Sequence, residues 1–170
     1  MIMTFREMRR SRQALSQADC EKILKTATAG VLAVTGDGGY PYAVPLSYVY
    51  AEGRLYFHCA GSGHKLDAIS ADDRVSFCVI DRDEIHPEKF TTFFRSVILF
   101  GRARILEDAG EKRAALELLA DKYSPGQSGR EEEISGQLNR VCIVEITPEH
   151  MTGKEAIELV KQKKPSGGKS

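Results

Sequence analysis

Leu55-Tyr56-Phe57-His58-Cys59-Ala60-Gly61-Ser62-Gly63-His64-Lys65-Leu66-Asp67-Ala68-Ile69 is the stretch from which the rest of the chain is read. Leu55 to Ala60 favours a strand, Gly61 to Gly63 breaks it, and a short helix starts at His64. A strand that stops at a glycine turn and feeds a helix leaves unpaired backbone N–H groups in one small volume. Together with the positive end of the helix, such a nest attracts an anion. His64 and Lys65 add side-chain donors and at least one full positive charge at the same spot. The local pattern therefore admits two readings. One is a phosphate cradle for a ligand lying along the preceding strand; the other is an ordinary strand–turn–helix connection with two solvated polar residues. Two other glycine loops are excluded. Gly-Ser-Gly-His-Lys-Leu over 61–66 lacks the third glycine of a dinucleotide fingerprint, and Lys65 follows His64 rather than the glycine of a Walker A loop.

Working outward, 170 residues suit one domain, expected over 1–163, with Lys164 to Ser170 as a disordered tail. Lys plus Arg equals Asp plus Glu at 24 each, so charge gives no reason to expect nucleic acid or an anionic membrane as partner. No apolar run approaches the roughly 20 residues that span a bilayer. The segment Met1 to Arg10 lacks the apolar stretch of a signal peptide, so a soluble, cytoplasmic protein is expected. Cys20, Cys59, Cys78 and Cys142 are scattered without a C-x-x-C pair, which suggests neither a zinc site nor a disulfide framework.

Upstream, Arg6 to Arg12 reads as a solvated basic arm or a contact for a ligand phosphate or partner subunit. Ser16 caps a first helix whose apolar face is Cys20, Ile23, Leu24 and Ala27, with Gly30 as its stop. Val31 to Val34 is a strand, Gly36 to Gly39 a turn, and Tyr40 to Tyr50 a long extended segment. Pro41 and Pro45 place parts of that segment at an edge, a bulge or a barrel corner. Ala51 to Arg54 turns the chain into the stretch quoted above.

Downstream, Arg74 to Ile80 is a strand and Asp81 to Phe94 a mixed loop. The loop's Asp83, Glu84, His86 and Glu88 have no register that presents them to a metal, and no metal is expected. Ser96 to Leu106 is a strand with one apolar face and one half-apolar face, for which a second subunit is a natural cover. A helix over 107–122 buries Ala115, Leu116, Leu118 and Leu119, and a polar loop over 124–133 continues into a short helix. Arg140 to Thr147 is the last strand, and Thr152-Gly153-Lys154 opens a final helix ending near Lys163. Six or seven antiparallel strands with a few peripheral helices predict a mainly β, Greek-key barrel.

With these elements placed, the chain resembles the pyridoxamine 5′-phosphate oxidase-like flavoproteins, in the branch that includes the nitroimidazole-resistance proteins. The resemblance rests on Gly30-Val31-Leu32-Ala33-Val34, on Gly39-Tyr40-Pro41-Tyr42-Ala43-Val44-Pro45-Leu46-Ser47-Tyr48, on Leu55 to Ala60, on Gly63-His64-Lys65-Leu66-Asp67, on Ser96-Val97 and on Thr152-Gly153-Lys154. It implies an FMN-binding split β-barrel and a homodimer with FMN at the interface. Val44, Pro45, Leu46, Ser47 and Tyr48 would then run beside the isoalloxazine ring. His58, Cys59 and Ala60 would line the ribityl region, His64 and Lys65 would hold the phosphate, and Ser96 and Val97 would contact ring or phosphate. The chain departs from the vitamin oxidases in having no tryptophan and in lacking, apart from Arg140, their C-terminal basic residues, so that oxidase activity is not expected.

In a flavoenzyme the cofactor carries the redox chemistry and the protein orients and tunes it. No protein nucleophile is then required. His64 is the candidate catalytic residue, as a proton donor near substrate, with phosphate or backbone hydrogen bonding as its other reading. The function expected is NAD(P)H-dependent reduction of small acceptors such as nitroaromatics. The alternatives are a flavin- or haem-binding carrier or sensor without turnover, and the same barrel with a deazaflavin.

Overall fold

Apolar residues at every second position build one sheet, and short polar or glycine turns fold it back on itself. The computed structural model describes residues 5–163, so the expected tail lies outside the described residues. Helix α1 (Gln17–Thr26) leads into β1 (Ala29–Thr35), β2 (Pro41–Ser47), β3 (Val49–Ala51) and β4 (Arg54–Ala60). After α2 (His64–Ala71) come β5 (Arg74–His86) and β6 (Thr91–Ile105). Then α3 (Ala109–Tyr123) and α4 (Arg130–Gln137) precede β7 (Val141–Glu155) and α5 (Ile157–Lys163). No helix among the described residues is long and apolar enough to cross a membrane.

All pairings are antiparallel, in the order β2-β1-β5-β6-β7-β4-β3. The two edge strands, β2 and β3, are separated in the chain by Tyr48 alone. Consecutive Cα atoms are about 3.8 Å apart, so the two edges must meet, and the sheet curls into a barrel left unzipped along that seam. One side chain clasps it. The Tyr123 hydroxyl accepts the Tyr48 N–H (2.9 Å) and lies 2.6 and 2.7 Å from the Thr28 and Tyr48 carbonyls, to one of which it donates.

Tyr48, Leu32, Phe57, Phe77, Val79, Val97 and Leu99 fill the barrel, and α1 and α2 close it with Cys20, Ile23, Leu24, Leu66 and Ile69. A second cluster forms where Leu106, Ala115, Leu116 and Ile134 cover Ile143, placing α3 and α4 against the outer face of β4 and β7. Leu118, expected in the buried stripe of α3, is half-exposed.

Ser16 caps α1 as expected, accepting the Asp19 N–H at 3.1 Å. The helix nevertheless ends at Thr26, before Gly30, which sits in β1 where a Cβ would run into the Phe77 ring. The stretch 81–94 is not a loop. After a bulge at Ile80/Arg82, β5 and β6 stay paired to His86↔Thr91 and turn through Pro87–Lys89. Charged residues stand on both faces of this arm, so it carries no apolar alternation to read. Thr152-Gly153-Lys154 likewise lies inside β7, paired with Ile98, Val97 and Ser96, and the last helix starts only at Ile157.

Candidate functional site

The end of β4 opens into the glycine turn. Gly63 is the N-cap of α2 with φ 139° and ψ 166°, a backbone that a side chain would strain, and no side chain caps the helix. The Leu66 and Asp67 N–H groups both turn back to the Gly63 carbonyl, at 2.9 and 3.2 Å. Among the described residues, a Cβ built on Gly61 or Gly63 would meet nothing within 4 Å, so the turn is open. Lys65 is half-buried beside it, and among the described residues no carboxylate lies within ion-pair reach of its ammonium. Uncapped N–H groups, the positive helix end and an unpaired ammonium together fit a phosphate.

His64 is turned the other way. Its ring stacks on Tyr42 with centroids 4.2 Å apart and planes 11° from parallel. Its Nε2 accepts the Asp37 N–H at 3.2 Å, which leaves the proton of the neutral ring on Nδ1. The histidine thereby pins the start of α2 to the β1–β2 turn, with Gly36 directly beneath it. Tyr42 and Asp37 are distant in sequence, and no local pattern announced them.

The register sets Pro45, Val31, Cys78 and Ile98 in one row across the outer face of β2-β1-β5-β6, and Ala43, Ala33, Ser76 and Phe100 in the next. Small or apolar residues thus face away from the core, with Ile98 39% and Phe100 41% exposed. Pro45 and Ser47 stand exposed on this side, and Ser96, half-buried, pairs with Ile80 beyond the rows. Val44 and Leu46 point inward against the core, while Tyr48 and Val97 are wholly buried.

On β4, His58 and Ala60 are exposed on the outer face and Cys59 points inward, opposite Cys142. Burial, and then the adjacent Cys142 thiol, push Cys59 up to about 11 against the pull of Lys65. Between β4, the end of β2 and the α3–α4 pair lies a cavity of about 480 Å³. Ser47 and His58 form its strand wall and Leu116, Leu119, Ala120 and Ile134 its helical wall. The helical wall was missed because periodicity cannot separate a stripe that packs from one that also lines a cavity. On the β5–β6 arm, His86 sits 2.8 Å from Glu84 and 3.2 Å from Glu88, and no metal-competent group of three is present among the described residues.

A seven-stranded antiparallel barrel split along one seam, with an open, uncapped helix start where β4 meets α2, defines the class of protein. The chain belongs to the pyridoxamine 5′-phosphate oxidase family, whose model matches residues 16–155, from the α1 cap to the end of β7. Among solved structures it is similar to an FAD-binding protein from Mesorhizobium loti, with 29% identity and TM-score 0.62 over 85% of this chain and 97% of that one. It is also similar to a candidate 5-nitroimidazole antibiotic resistance protein from Bacteroides thetaiotaomicron (23% identity, TM-score 0.71, covering 84% and 86%). A third is the FAD and haem binding protein from Mycobacterium smegmatis (20% identity, TM-score 0.71, covering 91% and 82%). No curated protein matches the chain.

Proposed function

We propose that this protein binds FMN, with the flavin phosphate in the Gly61–Lys65 cradle, and passes electrons from NAD(P)H to small acceptors such as nitroaromatics. The observation that carries the reading is the open, uncapped start of α2 with the Lys65 ammonium, unpaired among the described residues, beside it. Bound flavin supplies the redox chemistry, and the residues here hold and orient it. Lys65 and the first N–H groups of α2 take the phosphate. His64 stiffens the cradle through Tyr42 and Asp37, and its Nδ1–H is the group left for a phosphate oxygen. This favours a positioning role for His64 over proton donation. As an edge strand, β2 pairs with β1 on one side only, which leaves backbone groups near Pro45 and Ser47 for the polar rim of the ring. A second copy of the chain is the cover we assign to the outer rows containing Ile98 and Phe100.

FAD in place of FMN is the second reading, favoured by the likeness to the Mesorhizobium FAD-binding protein across 97% of its length. The deciding experiment is the visible spectrum of the purified protein, with mass identification of what denaturation releases. FMN at about one equivalent per chain supports the first reading and FAD the second; a colourless protein that takes up neither removes both. NAD(P)H oxidation by the loaded protein separates an enzyme from a carrier. Lys65→Ala forfeits a charged hydrogen bond worth about 1.5–3 kcal/mol, a loss of about 10- to 150-fold in flavin affinity. Unchanged affinity would remove Lys65 from the cradle.

A further inference from the structure

The basic segment ahead of α1 forms a second place where charge gathers. A single turn over Ser11–Gln13 is closed by the Gln13 N–H on the Arg10 carbonyl at 2.9 Å, and Ala14 bridges to Lys154 of β7. Arg9, Arg10, Ser11, Arg12 and Gln13 line a cavity of about 390 Å³ together with the apolar Ile157. Elsewhere guanidinium groups are matched: Arg54, Arg74, Arg102 and Arg104 each pair with a carboxylate. Among the described residues, Arg9, Arg10 and Arg12 make no ion pair, not even with Glu7 before them or with Glu158 beside Ile157. The sequence outside the described residues contains no Asp or Glu. Three like charges around one space repel one another, a cost that a bound anion removes. Gln13 is an independent sign. It is 5% exposed, yet among the described residues its side-chain amide makes no hydrogen bond. A buried amide is costly without a partner, and an oxygen in the cavity that it lines would supply one.

We propose that this cavity is a second anion site, which binds a phosphate group, free or carried by a small organic molecule, through Arg9, Arg10 and Arg12. Guanidinium forks match the oxygen pairs of a phosphate, and the Gln13 amide and Ser11 hydroxyl donate to the oxygens that remain. An organic body carried by the phosphate lies against Ile157, and the space is within the range of small-molecule sites. All of these residues fall outside 16–155, the span that the family model matches, and none belongs to the turn at 61–65. The assignment is independent of the flavin reading.

The test is calorimetric titration of the full-length protein with phenyl phosphate, inorganic phosphate and benzoate, with flavin content recorded on the same samples. Phenyl phosphate binds, and benzoate, with its single charge, binds about tenfold more weakly or worse. Arg9→Gln combined with Arg12→Gln weakens phenyl phosphate about tenfold or more. Both arginines are exposed, so this variant keeps its melting temperature. Gln13→Leu, which removes the amide, weakens the ester severalfold; should it fail to fold, the arginine variant and the ligand series still decide. Lys65→Ala binds the ester undiminished, which separates this site from the turn at 61–65. Inorganic phosphate binding as tightly as the ester identifies the free ion as ligand, and weaker binding identifies an organic phosphate. No binding of either phosphate, equal binding of benzoate, or undiminished binding by the arginine variant would overturn the proposal. Binding lost in Lys65→Ala and kept in the arginine variant would overturn it too, and would move the phosphate to α2. A protein that takes up no flavin yet binds phenyl phosphate in the expected pattern refutes the flavin reading and keeps this site.

Discussion

Gly153→Ala tests how tightly α1 is seated on the barrel. Gly153 lies within β7 opposite Val97, and its carbonyl accepts the Leu15 N–H at 3.0 Å. An added methyl would run into Cys20 Sγ and stand 2.8 Å from Leu15 Cβ. Cys20 is 1% exposed, so its sulfur has nowhere to swing, and α1 must lift away from β7. Overpacking of this kind costs about 1–3 kcal/mol, and replacing a strand glycine returns about 0.5–1 kcal/mol of backbone entropy. The net expectation is a loss of about 1–2 kcal/mol, or about 2–8 °C in Tm at this chain length. Cys20→Ala alone leaves a small void costing about 1 kcal/mol. In the double variant the new methyl occupies the space the sulfur left, so the combined loss falls short of the sum by about 1 kcal/mol. Urea unfolding of all four proteins followed by circular dichroism, with equal m-values, measures the cycle. Additivity within about 0.5 kcal/mol would refute the shared-space argument, because it would mean that the two sites do not compete for volume.

Tyr123→Phe keeps the ring and leaves the Tyr48 N–H without its partner at the seam. It should lower stability by about 1–3 kcal/mol and speed hydrogen exchange at the Tyr48 amide; unchanged exchange would show that another group closes the seam. Glu145, 3% exposed, is pushed up by burial, but hydrogen bonds from Arg104 (2.8 Å) and Arg54 (2.9 Å) outweigh this and hold it below the usual carboxylate range. A depressed folded pKa stabilises above the unfolded value near about 4.3 and loses that contribution as pH falls toward the folded one. Glu145→Gln should therefore lower the urea midpoint at neutral pH and flatten its decline in acid, and parallel pH profiles would rule this out.

Where one face of an element is dry and the other wet, its sequence could be read. The Ser16 cap, the β1, β2 and β4 strands and the strand–turn–helix at Gly61–His64 satisfy that condition, and their positions follow from period and capping alone. The β5–β6 arm failed it: charged residues stand on both its faces, and its buried Phe93 packs on Ala156 and Leu159 from far along the chain, so Asp81 to Phe94 looks like a loop although its ladder continues to His86↔Thr91. Thr152-Gly153-Lys154 misled for a different reason. A glycine after threonine imitates a helix start, whereas here it is the close approach of Leu15 and Cys20 that demands a residue without a Cβ.

The strand–turn–helix geometry proposed as a phosphate cradle was legible because it is local: Gly63, α2 and Lys65 come from one stretch of chain. The orientation of its histidine was not, because what decides it is Tyr42 and Asp37 arriving from the β1–β2 hairpin. The same holds for the second wall of the site. Ser47 and His58 were singled out as neighbours of a ligand, yet the surface that faces them comes from α3 and α4, which are seated here by the cluster around Ile143. Tyr48 joins the two edge strands, and its backbone is tied to Tyr123 at the end of α3. A closed barrel would satisfy the Tyr48 N–H within the sheet and leave α3 only Lys122, which donates to the Ala27 carbonyl at 2.6 Å, as a polar anchor there. The open seam therefore leaves the outer edge of β2 unpaired and gives α3, which walls the cavity beside it, one of its polar anchors.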